Sequence, residues 1–230
     1  YTSVAGFRFR QLFRNSEFKF YTTMIAAFTL FIMLELIFQR NYEVEHAFRS
    51  SVFQVVSFIT TTGLYSDDAA KWPHVTWVVL AACMFFGGSS GSTSGGIKSI
   101  RGVMLLKVVK NEFRQILHPN AVLPMKIDGY NVQMSKRVTL LGFIGLYLFL
   151  AVICAFTMIA AGIDSTNSMT ITLSCLGNVG PTLGLEIGPT MSWNELPDFA
   201  KWISSFLMLV GRLELFSVLV LFTPSFWKEN

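Results

Sequence analysis

The sequence predicts an all-α membrane protein of two tandem units, each a long helix, a short helix with its loop, and a second long helix. Three observations lead there. Hydrophobic residues make up 52% of the chain and charged residues 14%, against roughly 25% charged in soluble domains. Several apolar runs approach the ~20 residues that span a bilayer. Long and short apolar segments also follow one another in the same order twice.

The elements follow in chain order. Residues 1–19 hold Arg8, Arg10, Arg14 and Lys19 and read as a cytoplasmic segment. The chain opens on Tyr1 rather than Met, so a truncated or partial chain is expected. The first apolar span runs from about Phe20 to Phe38. The next, from about His46 to Thr60, is amphipathic and too short to cross, and reads as a re-entrant helix. It ends in the turn TTTGLYSDD at residues 60–68. A third span begins near Trp72 and Pro73, the proline suiting a first helical turn. It is interrupted at Gly87 by GGSSGSTSGGIK (residues 87–98), resumes near Ile97 and ends before His118 and Pro119. Residues 119–136 read as a cytoplasmic linker. The next span covers about 137–161, and the short segment 165–176 again cannot cross; it leads into LGNVGPTLG at residues 176–184. One continuous last helix is expected from about Leu196 and Pro197 to Phe222.

The two units, residues 20–118 and 137–230, come into register when Gly63 is aligned with Gly180, so an internal repeat is the economical reading. Two long helices around a half-membrane helix and loop is the pore-module plan of potassium channels. The net charge of +4 matters through its distribution. Arg8, Arg10, Arg14, Lys19, Lys98, Arg101, Lys107, Lys110, Arg114, Lys126, Lys136, Arg137 and Lys228 fall on one side, which the positive-inside rule places in the cytoplasm. Glu43, Glu45, Asp67, Asp68, Asp164, Glu186, Glu195 and Asp198 fall on the other, with only Arg40, Lys71 and Lys201 among the bases, and would concentrate cations at the mouth. Most are expected to be ordinary solvated charges; Asp67 and Asp68 lie closest to a loop of interest. This bias also accounts for the basic segments without any nucleic-acid partner. Cys83, Cys154 and Cys175 sit in apolar runs without C-x-x-C spacing and read as small buried hydrophobes.

A potassium ion enters a narrow pore only if oxygen atoms replace its water shell, and backbone carbonyls and Thr hydroxyls do so when loops from several repeats face one axis. Thr61, Thr62, Gly63 and Leu64, and Asn178, Val179 and Gly180 before Pro181, have that character. Glycine permits dihedrals that turn successive carbonyls inward, and a preceding helix aims its partly negative C-terminus at the cation. Either loop alone reads as an ordinary helix C-cap; the pair in one repeat position favours a filter. The loop at 87–96, with Gly87, Gly88, Gly91, Gly95 and Gly96, is polar sequence between two apolar half-helices. Irregular backbone at membrane depth is tolerated only inside protein or beside a water-filled cavity.

With TTTGL, GSTSGGIK, NVGP and the C-terminal VGRLELFSVLVLFTPSFW, essentially the whole chain resembles the Trk/Ktr/HKT superfamily of potassium transporters, and within it the TrkH branch. The resemblance implies four M1–pore helix–M2 repeats around one pore, each supplying a filter loop with a key glycine. Gly63 and Gly180 would then be the third and fourth filter glycines, with potassium held through Thr62, Gly63, Asn178 and Val179. Residues 20–118 and 137–230 would be the third and fourth pore repeats, and a missing N-terminal half or another chain would supply the other two. It further implies that the third M2 is broken by a glycine-rich intramembrane loop acting as a gate below the filter, which residues 87–96 match. Also implied are a homodimer, a prokaryotic inner (plasma) membrane crossed several times, and a cytoplasmic nucleotide-binding regulatory subunit, for which residues 97–120 are a candidate docking surface. Potassium is the expected ion, with no organic cofactor on this chain and no enzymatic step.

Arg212 stands out near the middle of the expected last helix, where an ionised side chain is costly and faces a cavity or partner. Glu214 is two positions on and is not its natural same-face partner. Arg212 is expected to bond loop carbonyls in the closed state and to raise the barrier to cations. Lys98 is expected to snorkel to the cytoplasmic interface, and Glu35 either to snorkel or to pair. Two motifs mislead. Residues 87–91 fit G-x-S-x-G, which would make Ser89 the nucleophile of an intramembrane serine hydrolase, but that motif needs a strand before it. Residues 91–99 approach a phosphate-binding P-loop, yet Ile97 intervenes before Lys98. A non-conducting structural or sensory membrane subunit is the remaining alternative.

Overall fold

The computed structural model describes residues 14–120, 123–183 and 193–227. Arg8, Arg10, Gly184, Glu186 and Lys228 lie outside the described residues. Helix α1, Ser16–Arg40, begins at Asn15, whose side chain accepts the Phe18 N–H, and ends at Asn41 in the left-handed region. Asparagine tolerates that conformation better than most residues. Helix α2, Val44–Ile59, turns Val55, Phe58 and Ile59 into the interior. It packs beside α1, so Ile32 and Leu36 join them in one apolar core.

Helix α3, His74–Phe85, follows Pro73, and α4, Ser99–Leu117, resumes after the glycine-rich loop. The linker region is not wholly irregular. Strand β1, Lys126–Ile127, pairs antiparallel with β2, Tyr130–Asn131. The turn is Asp128-Gly129, both at positive φ (48° and 91°), the residue pair that a tight hairpin turn demands. The chain is therefore mostly helical rather than all-α. The Asp-Gly signal was present in the sequence, but two strands of two residues leave no alternating pattern around it.

Helix α5, Met134–Ala160, is long and apolar, and α6, Ser165–Gly177, starts where the Asp164 carboxylate accepts the Thr166 and Asn167 N–H groups. Helix α7, Asp198–Arg212, ends early. The single last helix expected to Phe222 is broken at Leu213 and Glu214, and α8, Leu215–Leu219, continues into a 3₁₀ turn, Val220–Phe222, at 116° to α7. Glu214 has φ +63°. The break lets two ionised groups on neighbouring turns reach separate partners, described below. By length and composition α1 and α5 can each cross a membrane, and the bent α7–α8 pair adds a third only if counted as one span.

A second apolar core joins Phe143, Tyr147 and Met158 of α5, Ile171 and Leu176 of α6, and Leu207 and Val210 of α7. Val179 and Leu183, which follow α6, are buried in the first core instead. The loop after α6 thus crosses from one half of the molecule to the other, and that crossing sets the site.

Candidate functional site

The loops after α2 and α6 share one backbone. Two residues before each glycine stands a residue in the left-handed region, Thr61 (φ 53°) and Asn178 (φ 54°), and Gly63 (74°) and Gly180 (110°) are themselves at positive φ. The Thr61 N–H donates to Phe58 and the Asn178 N–H to Cys175, both at 3.1 Å. The Thr62 N–H reaches back to the Ser57 carbonyl at 2.9 Å, and the Val179 N–H to the Ser174 carbonyl at 3.0 Å. Such backward bonds end a helix while satisfying its last carbonyls. The glycine N–H groups turn to the same two serines, Gly63 to the Ser57 carbonyl at 3.3 Å and Gly180 to Ser174 Oγ at 3.0 Å.

The two loops also meet. A Cβ on Gly63 would stand 2.0 Å from the Val179 carbonyl oxygen, closer than any real contact, so only glycine fits there. Thr62 shares a 2.8 Å hydroxyl contact with Thr60, and the Leu64 carbonyl accepts the Ser57 hydroxyl. Asn178 Nδ2 donates to the Met208 carbonyl of α7 at 3.2 Å. Thr61, Thr62, Gly63, Leu64, Asn178, Val179 and Gly180 are thereby gathered along one seam. Asp67 and Asp68, the nearest acids, are engaged locally: Asp67 accepts the Trp72 indole N–H at 3.3 Å, while Asp68 caps the turn at Ala70 and pairs with Lys71.

The glycine-rich loop is closed on itself. Phe86 and Ile97 form a parallel bridge, with Gly87 N–H donating to Ile97 at 2.9 Å and Ile97 N–H to Phe85 at 3.0 Å. Gly88 N–H takes Ser94 Oγ, and Ser99 returns to Gly88 through its N–H and to Gly87 through its hydroxyl. A Cβ on Gly95 would lie 2.2 Å from the Gly177 carbonyl oxygen, so the loop rests directly on the C-terminus of α6. Gly96 has φ +68°, whereas Gly91 faces open space. Ser89 follows a helix and a bridge residue, not the strand that a nucleophile elbow requires.

Three cationic side chains converge on this loop. Arg212, at the end of α7, donates to the Thr93 carbonyl. Lys98 bends back to the Ser92 carbonyl at 2.8 Å and also to the Ser94 carbonyl. Lys98 was expected to snorkel to the interface; its ammonium is instead engaged by loop carbonyls. Arg101 pairs with Glu214 at 3.1 Å and stacks 4.0 Å over the Phe143 ring. A cavity of about 240 Å³ lies between them, lined by Ser92, Thr93, Lys98, Arg101, Arg212 and Glu214 among others. Glu35 accepts from Gln39 on its own helix. The cysteines are free and buried, and among the described residues no cluster of His, Cys, Asp or Glu could hold a metal.

Sequence reasoning missed four participants. Ser57 and Ser174 stand six residues before their glycines, an equal offset that the Gly63–Gly180 alignment would have exposed. Gly211 lets α7 approach α6, since a Cβ there would sit 2.1 Å from the Leu176 carbonyl oxygen. Glu17, in the first turn of α1, bonds Ser90 and had no local signal.

Short helices ending in matched glycine turns, set beside an internally bonded glycine loop in a mostly helical bundle with helices long and apolar enough to cross a bilayer, define the architecture of a helical membrane protein. The chain belongs to the TrkH family of cation transport proteins, which it matches over residues 12–229. It is 35% identical to a Trk system potassium uptake protein TrkH of Halomonas elongata over 96% of this chain and 45% of that protein. With the protein of the same name from Escherichia coli K12 it shares 34% identity over 100% of this chain and 47% of the relative. The crystal structure of the potassium transporter TrkH from Vibrio parahaemolyticus superposes with a TM-score of 0.87 at 33% identity, covering 94% of this chain and 46% of that one. The chain spans about half the length of the curated relatives it matches.

Proposed function

We propose that this chain supplies two of four pore repeats to a protein that takes up potassium across a prokaryotic inner membrane. The observation that carries the reading is the pair of matched loops: the same left-handed residue, the same backward bond and the same positive-φ glycine, with Gly63 seated against the Val179 carbonyl. Two loops built alike and in contact are what adjacent quadrants of a carbonyl-lined filter require. In this reading residues 20–118 and 137–230 are tandem repeats, and potassium loses its water to oxygens around Thr62, Gly63, Asn178 and Val179. The loop at 87–96 is the gate, held shut by the Arg212 bond to Thr93, and the cluster of Lys98, Arg101 and Arg212 bars cations while it stays shut. The length of the relatives supports a further half carrying the other two repeats. A homodimer and a cytoplasmic nucleotide-binding subunit complete the proposal.

The test is rubidium and sodium uptake by cells expressing the full-length gene, wild type against Gly180→Ser at matched membrane levels. Rubidium preference that collapses in the variant supports the filter. Selective uptake untouched by the substitution removes Gly180 from it. Absence of uptake by the wild type, with its regulatory subunit present, moves the reading to a non-conducting subunit.

A further inference from the structure

Glu17 spends both carboxylate oxygens on one residue at the tip of the glycine loop. Oε1 accepts the Ser90 backbone N–H at 2.5 Å and Oε2 accepts the Ser90 hydroxyl at 2.9 Å. Charge-assisted bonds made in pairs are stronger and more directional than neutral ones. On the other side of the same turn, three residues on, the Arg212 guanidinium holds the Thr93 carbonyl. An anion on the loop's donors and a cation on its acceptor therefore grip it from α1 and from α7.

The α1 side of this grip is itself anchored. Ser16, the neighbour of Glu17, donates its N–H (2.9 Å) and its hydroxyl (2.6 Å) to Asp128 Oδ1 in the β-hairpin turn. The hairpin also touches α4, which leaves the loop's far end, because Lys107 Nζ donates to the Lys126 carbonyl at 2.6 Å. Loop tip and loop exit are thus referred to one small cytoplasmic hairpin. We propose that Glu17 is a positioning residue that latches the glycine loop shut through Ser90, and that the Asp128–Ser16 contact sets the latch. The inference rests on the reading of that loop as a gate. The competing role for Glu17 is an ordinary acid in a helix first turn, favoured by the helix dipole, which predicts an effect on stability and none on the loop.

The experiment is rubidium flux into liposomes holding the full-length protein without its regulatory subunit, with thermal unfolding measured on the same samples. Arg212→Ala serves as the check on the gate itself. Glu17→Gln, which removes the charge but keeps one acceptor, should raise basal flux about threefold to tenfold, the net worth of one ordinary hydrogen bond, with the melting temperature nearly unchanged. Ser90→Ala, which keeps the N–H donor, should raise it less, and the double variant should fall short of the sum of the two because both act on one shared contact. Asp128→Gly, which deletes the acceptor but keeps the φ of +48° available, should also raise flux. Raised flux in Arg212→Ala with wild-type flux in Glu17→Gln overturns the latch and leaves the gate standing. Wild-type flux in both overturns latch and gate together. A lowered melting temperature without added flux, or fully additive effects of Glu17→Gln and Ser90→Ala, also overturns the latch. If Glu17→Gln fails to assemble, Ser90→Ala and Asp128→Gly decide: raised flux in both supports the latch, and wild-type flux in either overturns it.

Discussion

At the scale of single residues, Gly63 and Gly180 are constrained for different reasons. Both have positive φ, where a side chain costs about 1–3 kcal/mol. Gly63 carries a second constraint, because its Cβ would strike the Val179 carbonyl oxygen at 2.0 Å, whereas a Cβ on Gly180 meets nothing within 4 Å. Alanine at either position should impair rubidium selectivity. Gly63→Ala should also lower the melting temperature of the purified protein clearly more than Gly180→Ala; equal shifts would mean that the two loops do not abut. Arg212 yields a second prediction. Removing its bond to the Thr93 carbonyl by Arg212→Ala should increase basal flux several-fold, and unchanged or lower flux in a well-expressed variant would count against its role in closure. The glycines were readable from turn composition and repeat position. Their contact was not, since nothing local encodes which carbonyl from the other half will arrive at Gly63.

At the scale of elements, glycines rather than interlocking side chains bring the backbones together. Gly177 approaches the Met84 carbonyl of α3 (2.6 Å from a built Cβ), Gly95 the Gly177 carbonyl (2.2 Å) and Gly211 the Leu176 carbonyl (2.1 Å). The end of α6 is therefore pressed between the glycine loop and α7, and movement of the loop is felt at the residue that precedes Asn178. Gly95→Ala should wedge the loop off α6, lowering the melting temperature and raising basal flux; a variant with wild-type flux and stability would show that this contact is dispensable. Apolar periodicity and the glycine-rich interruption placed helices α1 to α6 and the start of α7 within a few residues. The break after α7 escaped because residues 215–222 continue the apolar run. The only sequence sign of it is the charge pair, whose partners Thr93 and Arg101 are supplied by distant parts of the chain. Glu17 was missed and Lys98 misread for the same reason: each reaches a carbonyl, N–H or hydroxyl that only the folded loop presents.

At the scale of the whole molecule, two loops cannot by themselves replace a hydration shell. An ion stripped of water needs oxygens around its full circumference, and in the proposed reading the seam where Gly63 meets Val179 would supply one side of such a ring. The relatives are about twice as long, which is the length that two further units would occupy. The exposed apolar side chains fit the same picture. Leu30, Phe38, Phe149, Phe156 and Trp202 are among the large hydrophobics facing outward, a surface that suits lipid or further helices and not water. Produced without the rest of the protein, residues 1–230 should therefore insert into membranes yet carry no selective rubidium flux, and supplying the remaining half as a separate chain should restore it. Selective flux from this chain alone would mean that copies of the same two loops close the ring, and the four-repeat reading would give way to a symmetric assembly of two such chains. The two outcomes separate cleanly in cross-linking: two copies closing one ring would place Gly180 of each beside Gly63 of the other, whereas a ring completed by a different half would keep those contacts within one copy.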